Sequence, residues 1–161
     1  MEIDKINWTI LECLQQNGRA SFADIGREVG LSAPAVAERM AKMEEAGVIR
    51  GYSVDIDHEQ VGYFLKAVIT FVAQSGKLPP FLKVLDKMEE VLECHRVTGK
   101  YCLFMKVLAR DAHHLEQILT RFSEYGDSIT SIVLSTPVCH PGISRAAAIT
   151  KTNPAARARL A

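Results

Sequence analysis

The sequence predicts an α+β protein in which a small helical segment precedes a ferredoxin-like βαββαβ domain. Apolar residues recur at helical spacing throughout residues 1–50. From residue 48 the apolar period changes to two, as in a half-exposed strand. Beyond residue 63, strand-like and helix-like stretches alternate in the order of a split βαβ unit. Together these three observations define the fold class.

Capping signals divide residues 1–50 into three predicted helices. Asp4, Ser21 and Ser32 have the short polar side chains that N-caps require. Gly30 is predicted to end the second helix, and Gly47 is predicted to end the third in the left-handed conformation. The apolar residues at helical spacing are Ile6, Ile10, Leu11 and Leu14, then Phe22, Ile25 and Val29, then Val36, Met40 and Met43.

Residues 51–62 are predicted to form a linker strand between two domains. Tyr52, Val54 and Ile56 alternate with polar residues, which is the pattern of a strand with one buried face. A turn near Gly62 then leads into the second domain.

Residues 63–139 are predicted to form the ferredoxin-like domain. Its predicted elements are a strand over 64–73, a helix that opens at Pro79, strands over 91–98 and 101–109, a helix from Asp111 to Gly126, and a strand over 129–138. This order places both helices on one face of an antiparallel sheet. Residues 140–161 are rich in Ala and Arg without apolar periodicity, so we expect a weakly ordered basic tail.

The first strand of this domain predicts association of the protein with itself. Every second residue of this strand, from Leu65 to Phe71, is predicted to lie under the helices. Its other face carries Phe64, Val68 and Val72, and an apolar sheet face of this kind is expected to pack against a second subunit.

The composition limits the compartment and the chemistry of the protein. The net charge is zero, and residues 1–50 contain six Lys and Arg against eight Asp and Glu. Apolar runs are too short to span a bilayer and no secretory signal opens the sequence, so we expect a cytoplasmic protein with no membrane partner. The four cysteines form no CxxC pair, so we expect reduced thiols and no metal site.

Residues 22–43 have the pattern of a helix-turn-helix. Gly30 supplies the turn, and Gly26 is small where the two helices cross. The second helix of the pair has a small N-terminal half, which suits entry into the major groove of double-stranded DNA. The residues predicted to contact DNA are Ser32, Ala33, Ala35, Glu38, Arg39, Lys42 and Arg50.

Side-chain chemistry suggests separate roles for these residues. Arg39 is expected to bind a guanine edge or a phosphate, while Lys42 and Arg50 are expected to bind phosphates. Glu38 is expected to accept from a cytosine amino group or to orient Arg39. From the pattern alone, the alternative is a three-helix packing unit whose charges are merely solvated.

Residues 3–139 resemble the Lrp/AsnC (feast/famine) family of transcription regulators. The resemblance rests on LSAPAVAERMAKMEEAGVIRGYSVDID, on CHRVTGKYCLFMKVLARD and on ITSIVLSTPV, in that order. It implies a winged-helix-type head that binds DNA sequence-specifically and a ferredoxin-like domain that binds an effector. It also implies homodimers, which assemble further into tetramers or octamers, and amino-acid effectors held between subunits.

The resemblance also places the effector near the loop of the middle hairpin. The residues implied are Thr98, Gly99, Lys100, Tyr101 and Cys102, faced by Ser135 and Thr136 from the last strand. Family members that bind amino acids commonly have acids at the positions of Lys100 and Cys102. Their absence here favours a small organic anion over an amino acid, or no ligand at all.

The alternative function is an enzyme, or a metal- or redox-sensing module, on a dimeric ferredoxin-like domain. No nucleophile–base pair, phosphate loop or carboxylate dyad is evident, so we expect no catalysis and no cofactor. The minor alternative is that the protein senses a metal ion or a redox change through Cys94, His95 and Cys102.

Overall fold

The computed structural model describes residues 3–139, 142, 143 and 145, which form two compact units. The helical unit comprises residues 3–54 and the described residues from Val138 onward, and the sheet unit is Asp55–Pro137. The elements are α1 (Lys5–Gln16), α2 (Phe22–Val29), α3 (Ala33–Glu45), β1 (Leu65–Ala73), α4 (Leu78–Leu85), β2 (Val91–Arg96), β3 (Leu103–Ala109), α5 (Ala112–Ser123) and β4 (Gly126–Ile132). The predicted weakly ordered tail, 140–161, lies outside the described residues apart from three positions.

The predicted caps of the helical unit are confirmed. Asp4 accepts the backbone N–H of Asn7 at 2.7 Å, and Ser21 forms a reciprocal capping box with Asp24. Gly47 has φ +67°, and the N–H of the next residue reaches the carbonyl of Met43 at 2.8 Å. That bond satisfies a carbonyl which the end of α3 would otherwise leave without a partner.

The core of the helical unit is small. Among its described residues, five apolar side chains are buried, namely Ile10, Ile25, Val36, Met40 and Met43. Gly26 in α2 faces the backbone carbonyl of Leu31 so closely that a Cβ would collide with it. The predicted close approach of α2 to the start of α3 is therefore confirmed.

The sheet unit has the predicted βαββαβ order. Its antiparallel sheet runs β2-β3-β1-β4, and residues of α4 and α5 share one core with the same face of β1. Phe71, Phe81 and Phe122 form the centre of this core, with ring centroids of the first two 4.4 Å apart. Among the described residues, no helix combines the length and the apolar character needed to cross a membrane.

The predicted linker strand is wrong for the single chain. Residues 51–57 belong to no helix or strand, and Tyr52, Val54 and Ile56 are exposed. The alternating pattern is present in the sequence, but strand pairing needs a hydrogen-bonded neighbour, and the described part of this chain provides none there.

The last strand and the preceding helix also differ from the prediction. The strand begins at Gly126, three residues earlier than expected, because Gly126 pairs with Ala73 and packs where a Cβ would meet the ring of Phe71. It ends at Ile132, which pairs with Ala67 of β1. The sequence pattern indicated that Gly126 ends the helix, whereas in the structure Gly126 lies in β4 and allows it to pack closely against β1.

Candidate nucleic-acid interface and effector site

The outward face of α3 contains only part of the predicted DNA-binding set. Ser32, Glu38, Lys42 and Arg50 are exposed, whereas Ala33, Ala35 and Arg39 are partly buried. Pro34 and Ala41 lie beside Glu38 on this face and are exposed, but the sequence reasoning missed them. Their spacing of three to four residues from Glu38 is the signal that could have revealed them.

The N-terminal half of α3 is narrow and capped. Ser32 accepts the backbone N–H of Ala35 at 3.4 Å, and Pro34 lies in the first turn, where no intrahelical donor is lost. The exposed residues of this half are Ser32 and Pro34, and the partly buried Ala33 and Ala35 beside them are small. A helix edge of this width fits a major groove without a steric clash.

Lys42 forms an ion pair with Glu38 one turn earlier on the outer face. Its Nζ lies 2.6 Å from Glu38 Oε1, and both side chains are more than half exposed. The hydrogen bond from Lys42 lowers the pKa of the Glu38 carboxyl. Because exposed pairs of this kind contribute little, Lys42 can exchange Glu38 for a phosphate at small cost.

Arg39 points toward α1, which differs from the expectation that it projects to DNA. Its Nη1 donates to Asp4 Oδ2 at 2.7 Å and to Asn7 Oδ1 at 2.9 Å. Asn7 is buried, and Arg39 satisfies its side-chain oxygen. The hydrogen bond from the backbone of Asn7, followed by that from Arg39, lowers the pKa of the Asp4 carboxyl. Arg39 therefore joins α3 to the start of α1.

Tyr52 connects the chain that follows α3 to that helix. Its hydroxyl donates to Glu44 Oε1 at 2.8 Å. Desolvation and the nearby Glu44 carboxylate raise the pKa of Tyr52 to about 12, so the hydroxyl keeps its proton at neutral pH. Arg50 lies two residues earlier and is exposed, as expected for a phosphate contact.

The predicted effector loop is a short hairpin between β2 and β3. The N–H of Val97 donates to the carbonyl of Cys102 at 3.1 Å, which closes the loop. Gly99 has φ +107°, a conformation that favours glycine. Lys100 Nζ lies 5.4 Å from the ring centroid of Tyr101, so a cation is held at the loop surface.

Cys102 is engaged with β1 instead of facing outward from the loop. Its Sγ donates to the carbonyl of Phe71 at 3.2 Å and accepts the N–H of Ala73 at 3.3 Å. Since both polar functions of the thiol are used by the β1 backbone, Cys102 contributes to the end of the sheet.

Ser135 and Thr136 do not face the loop in one chain, which corrects that expectation. They follow Val133, whose N–H donates to the carbonyl of Lys66 near the start of β1, while the loop lies beside Phe71 near its end. Five residue steps along β1, or about 17 Å, separate these two points. Ser135 and Thr136 instead line a cavity of about 530 Å³ together with Asp55–Glu59, Tyr63, Phe64, Lys66, Leu108, Val133 and Leu134.

The cysteine and histidine of β2 lie on opposite faces of the sheet. Cys94 is opposite the buried Met105, whereas His95 is opposite Phe104 on the other face. His95 instead contacts Glu93 at 2.9 Å. Across the described residues, no group of three metal-ligating side chains converges.

His114 is buried, although its place in the first helical turn predicts exposure. Its Nδ1 accepts the N–H of Arg110 at 3.2 Å, and its Nε2 lies 3.2 Å from Glu90 Oε1. Because one ring nitrogen accepts a backbone donor, the other carries the proton toward Glu90. His114 thus fastens the start of α5 to the turn before β2.

Two family models match the chain in the same order as the two predicted domains. The AsnC-type helix-turn-helix domain matches residues 3–44, and the Lrp/AsnC ligand binding domain matches residues 66–143. The first match contains α1, α2 and α3 up to its last residue but one, and the second contains the four-stranded sheet from the second residue of β1, with both of its helices.

Several named regulators are similar to the chain over most of their length. The HTH-type transcriptional regulator YezC of Bacillus subtilis is 37% identical over 139 residues, which is 86% of this chain and 99% of that protein. Regulatory protein AsnC of Escherichia coli is 33% identical over 141 residues, 84% of this chain and 93% of that protein.

Solved structures agree with these relatives. A transcriptional regulator of Neisseria meningitidis, in complex with L-Met, superposes with a TM-score of 0.82 at 25% identity, covering 86% of this chain and 94% of that one. These matches are to transcription regulators, and they give no support to the enzyme alternative. This chain therefore belongs to the Lrp/AsnC family of helix-turn-helix transcription regulators.

Proposed function

We propose that the protein binds its operator as a homodimer, with α3 in the major groove, and that a small carboxylate bound by the sheet unit modulates this binding. The observation that carries the proposal is the narrow, exposed N-terminal half of α3 within an intact helix-turn-helix. We place this activity in the cytoplasm, where a regulator of this family meets the chromosome. We keep the predicted functional division of the chain: a DNA-binding domain (1–50), a linker (51–62), an oligomerisation and effector domain (63–139) and a basic tail (140–161).

Individual side chains are assigned by their exposure. Ser32 and the free N–H groups of the first turn of α3 suit a phosphate oxygen, with Ala33 and Ala35 allowing close approach. Glu38 is the outer polar residue suited to a base edge, where it accepts from a cytosine amino group. Lys42 and Arg50 bind phosphates and carry no sequence preference.

Arg39 is proposed as a positioning residue. Its contacts with Asp4 and Asn7 orient α3 relative to α1, so Arg39 acts on DNA binding through the placement of the helix. Arg39→Met should therefore lower affinity for all sequences instead of relaxing the preference at one base pair.

The DNA assignment is tested by fluorescence anisotropy with the DNA upstream of the protein's own gene and with a scrambled duplex. Lys42→Ala should weaken binding to both duplexes equally and reduce the salt slope by about 0.9 per chain bound. Glu38→Gln should change the ratio of the two affinities. Lys83→Ala, on the exposed surface of α4, is the matched control and should leave both unchanged. Wild-type protein that does not distinguish the two duplexes would contradict the proposal.

The homodimer is assigned to the open face of the sheet. This face carries exposed Phe64, Val72 and Ile129, together with half-buried Val68 and Phe104. Apolar area of this extent is better covered by a second copy than left in water. Dimers of this kind would assemble further into tetramers or octamers.

Light scattering at micromolar concentration tests this assembly. Ile129→Lys should shift the mass toward the monomer, because it places a charge in the middle of the proposed interface. Gln117→Lys makes the same charge change on the exposed side of α5 and should leave the mass unchanged. A wild-type monomer would contradict the assembly proposal.

The effector site is assigned to the hairpin loop between β2 and β3. Lys100, with the backbone amides around Gly99, suits a carboxylate. No acid is present in residues 97–102 to hold an ammonium group, and Glu93 is already engaged by His95 and Lys106. The solved relative holds L-Met, but the loop chemistry here favours a small organic anion without an amino group.

A thermal-shift series of matched amino and keto acids tests this assignment. We expect keto acids to raise the melting temperature of the wild type and Lys100→Gln to remove that shift. Lys77→Gln, on the exposed surface before α4, serves as the control. A larger shift with amino acids than with the matching keto acids would overturn the preference for an anion.

A further inference from the structure

The chain that leaves α3 is fixed to that helix at two points. The N–H groups of Val48 and Ile49 both donate to the carbonyl of Met43, at 2.8 and 3.1 Å. The side chains of Val48 and Ile49 are half-buried and pack against the core of the helical unit. Three residues later, the hydroxyl of Tyr52 donates to Glu44 Oε1 at 2.8 Å. The short segment between these contacts is therefore held at both of its ends against the last turn of α3.

Arg50 lies between these two points of attachment. Its side chain is exposed, and no acid in the described part of the chain forms an ion pair with it. By contrast, Arg27, Arg39 and Lys42 each pair with an acid of the helical unit. A phosphate can therefore bind Arg50 without displacing an acidic partner.

Tyr52 is held by its hydroxyl more than by burial. Its side chain is 57% exposed, so little apolar area is removed from water there. A hydrogen bond to a carboxylate is stronger than one between two neutral groups. Desolvation and the hydrogen bond to Glu44 raise the pKa of Tyr52 to about 12, so the hydroxyl remains a donor at neutral pH. Removal of this one oxygen atom therefore releases the end of the segment without changing the net charge or opening a cavity.

We propose that Tyr52 is a positioning residue for DNA binding, whose hydrogen bond to Glu44 holds Arg50 where it contacts a phosphate. The inference rests on the proposed contact between Arg50 and DNA. A side chain on a fixed segment loses less conformational freedom on binding than one on a loose segment, so its contact is stronger. Because the contact is to a phosphate, the effect should be the same for every duplex.

Tyr52→Phe in the full chain tests this role by fluorescence anisotropy. Log affinity is measured against log salt for the upstream duplex and for the scrambled duplex. We expect both to be bound about three- to tenfold more weakly, the size of one net hydrogen bond. The salt slope should become shallower by up to about 0.9 per chain bound, as it should in Arg50→Gln. Since Tyr52→Phe removes no charge, a shallower slope reports the lost phosphate contact of Arg50.

A double-mutant cycle separates positioning from a general effect on the helical unit. Tyr52→Phe combined with Arg50→Gln should bind as Arg50→Gln does alone, because the hydroxyl acts through the arginine. If Tyr52 only stabilised the unit, the two losses of affinity would add. Urea unfolding followed by the fluorescence of Trp8 checks that each variant is folded under the conditions of the binding assay.

Glu44 allows a rescue that keeps the hydrogen-bond acceptor. Glu44→Gln retains a side-chain oxygen for the Tyr52 hydroxyl, whereas Glu44→Met removes it. Each change removes one negative charge, so each is compared with the same change at the exposed neighbour Glu45. We expect Glu44→Gln to bind DNA as Glu45→Gln does. Glu44→Met should bind both duplexes more weakly than Glu45→Met.

Tyr63→Phe is the matched control for the loss of a hydroxyl. It removes the same group from a tyrosine of the sheet unit and should leave both the affinity and the salt slope unchanged. A wild-type slope in Tyr52→Phe, or additive losses in the cycle, would overturn the positioning role alone. Wild-type affinity and slope in Arg50→Gln would overturn the phosphate contact of Arg50, and the role of Tyr52 with it. A wild-type protein that binds neither duplex would overturn the proposed function as well.

Discussion

The helical unit and the sheet unit contain helices of similar length, but different contacts hold those helices in place. In the part of the helical unit that the structure describes, five apolar side chains are buried, and the unit also depends on three N-caps and on the bonds from Arg39 to Asp4 and Asn7. In the sheet unit thirteen residues form one core around three phenylalanines. The first unit is thus stabilised by a few directional contacts, and the second mainly by apolar burial.

The difference follows from what each unit must expose. If α3 enters the major groove as proposed, its outer face has to remain polar and narrow, so little of the helical unit is available for a core. The sheet unit can place one whole sheet face under α4 and α5. We therefore expect substitutions of polar residues to matter most in the helical unit, and truncation of apolar residues to matter most in the sheet unit.

The largest effect is expected from Phe81→Ala in the sheet unit. Phe81 is fully buried against the rings of Phe71, Phe122 and Tyr125. Its removal should reduce the free energy of unfolding by about 3 to 5 kcal/mol. Urea denaturation followed by circular dichroism measures this loss.

The control for this prediction is Leu134→Ala, because Leu134 is 94% exposed. Its effect should stay within about 0.5 kcal/mol. A loss of similar size for the two variants would show that burial does not dominate the stability of the sheet unit.

The next effect is expected from the polar contacts of the helical unit. Asp4→Asn keeps an acceptor for the cap of α1 but removes the negative charge that pairs with Arg39. Arg39→Met removes the positive charge of the same pair. The two single variants and the double variant should show a coupling free energy of about 1 to 2 kcal/mol. Urea denaturation is followed by the fluorescence of Trp8, the one tryptophan of the sequence, which lies in α1.

Additive losses in this cycle would mean that Arg39 does not position α3 through Asp4. The same Arg39→Met protein distinguishes the roles on DNA. A selective loss of affinity for the upstream duplex would return Arg39 to the base-reading role that the sequence suggested.

Sequence reasoning was most successful where a local pattern determines a local structure. The caps at Asp4, Ser21 and Ser32, the left-handed Gly47 and the βαββαβ order all follow from such patterns, and the structure confirms them. Burial of alternate residues in β1 was predictable for the same reason, because neighbouring side chains of a strand lie on opposite faces.

Features that depend on distant residues could not be predicted from local patterns. Arg39 is polar and lies on the proposed recognition helix, and nothing near it in sequence reveals that Asp4 and Asn7 lie beside it. Similarly, Ser135 and Thr136 resemble ligand-binding residues, but the register of β4 against β1 places them away from the hairpin loop. Gly126 was misinterpreted because only the packed sheet shows the lack of space at its Cα.

A smaller effect is expected from the end of α3. Gly47→Ala places a Cβ on a residue with φ +67°, which should cost about 1 kcal/mol in the Trp8 unfolding curve. Gly18→Ala is the matched control, since the backbone there does not adopt a positive φ and a Cβ would meet only the Leu14 carbonyl at 3.9 Å. Equal losses at the two glycines would mean that the left-handed cap does not help to hold α3 in place.

The smallest effect is expected from the pH dependence of the helical unit. The hydrogen bonds from Asn7 and Arg39 lower the pKa of Asp4 below its ordinary value of 3.8, so the folded state binds this proton less tightly than the unfolded state does. The stabilisation is therefore complete above that ordinary value and is lost as pH falls through the lowered pKa. Asp4→Asn should reduce the loss of unfolding free energy, followed by Trp8 fluorescence, as pH falls through this range. The loss that Asp24 contributes should remain, because its pKa is lowered by hydrogen bonds from Ser21. An unchanged acid profile in Asp4→Asn would show that the charge on Asp4 does not stabilise the helical unit, and that the two units differ less in their dependence on polar contacts than the geometry indicates.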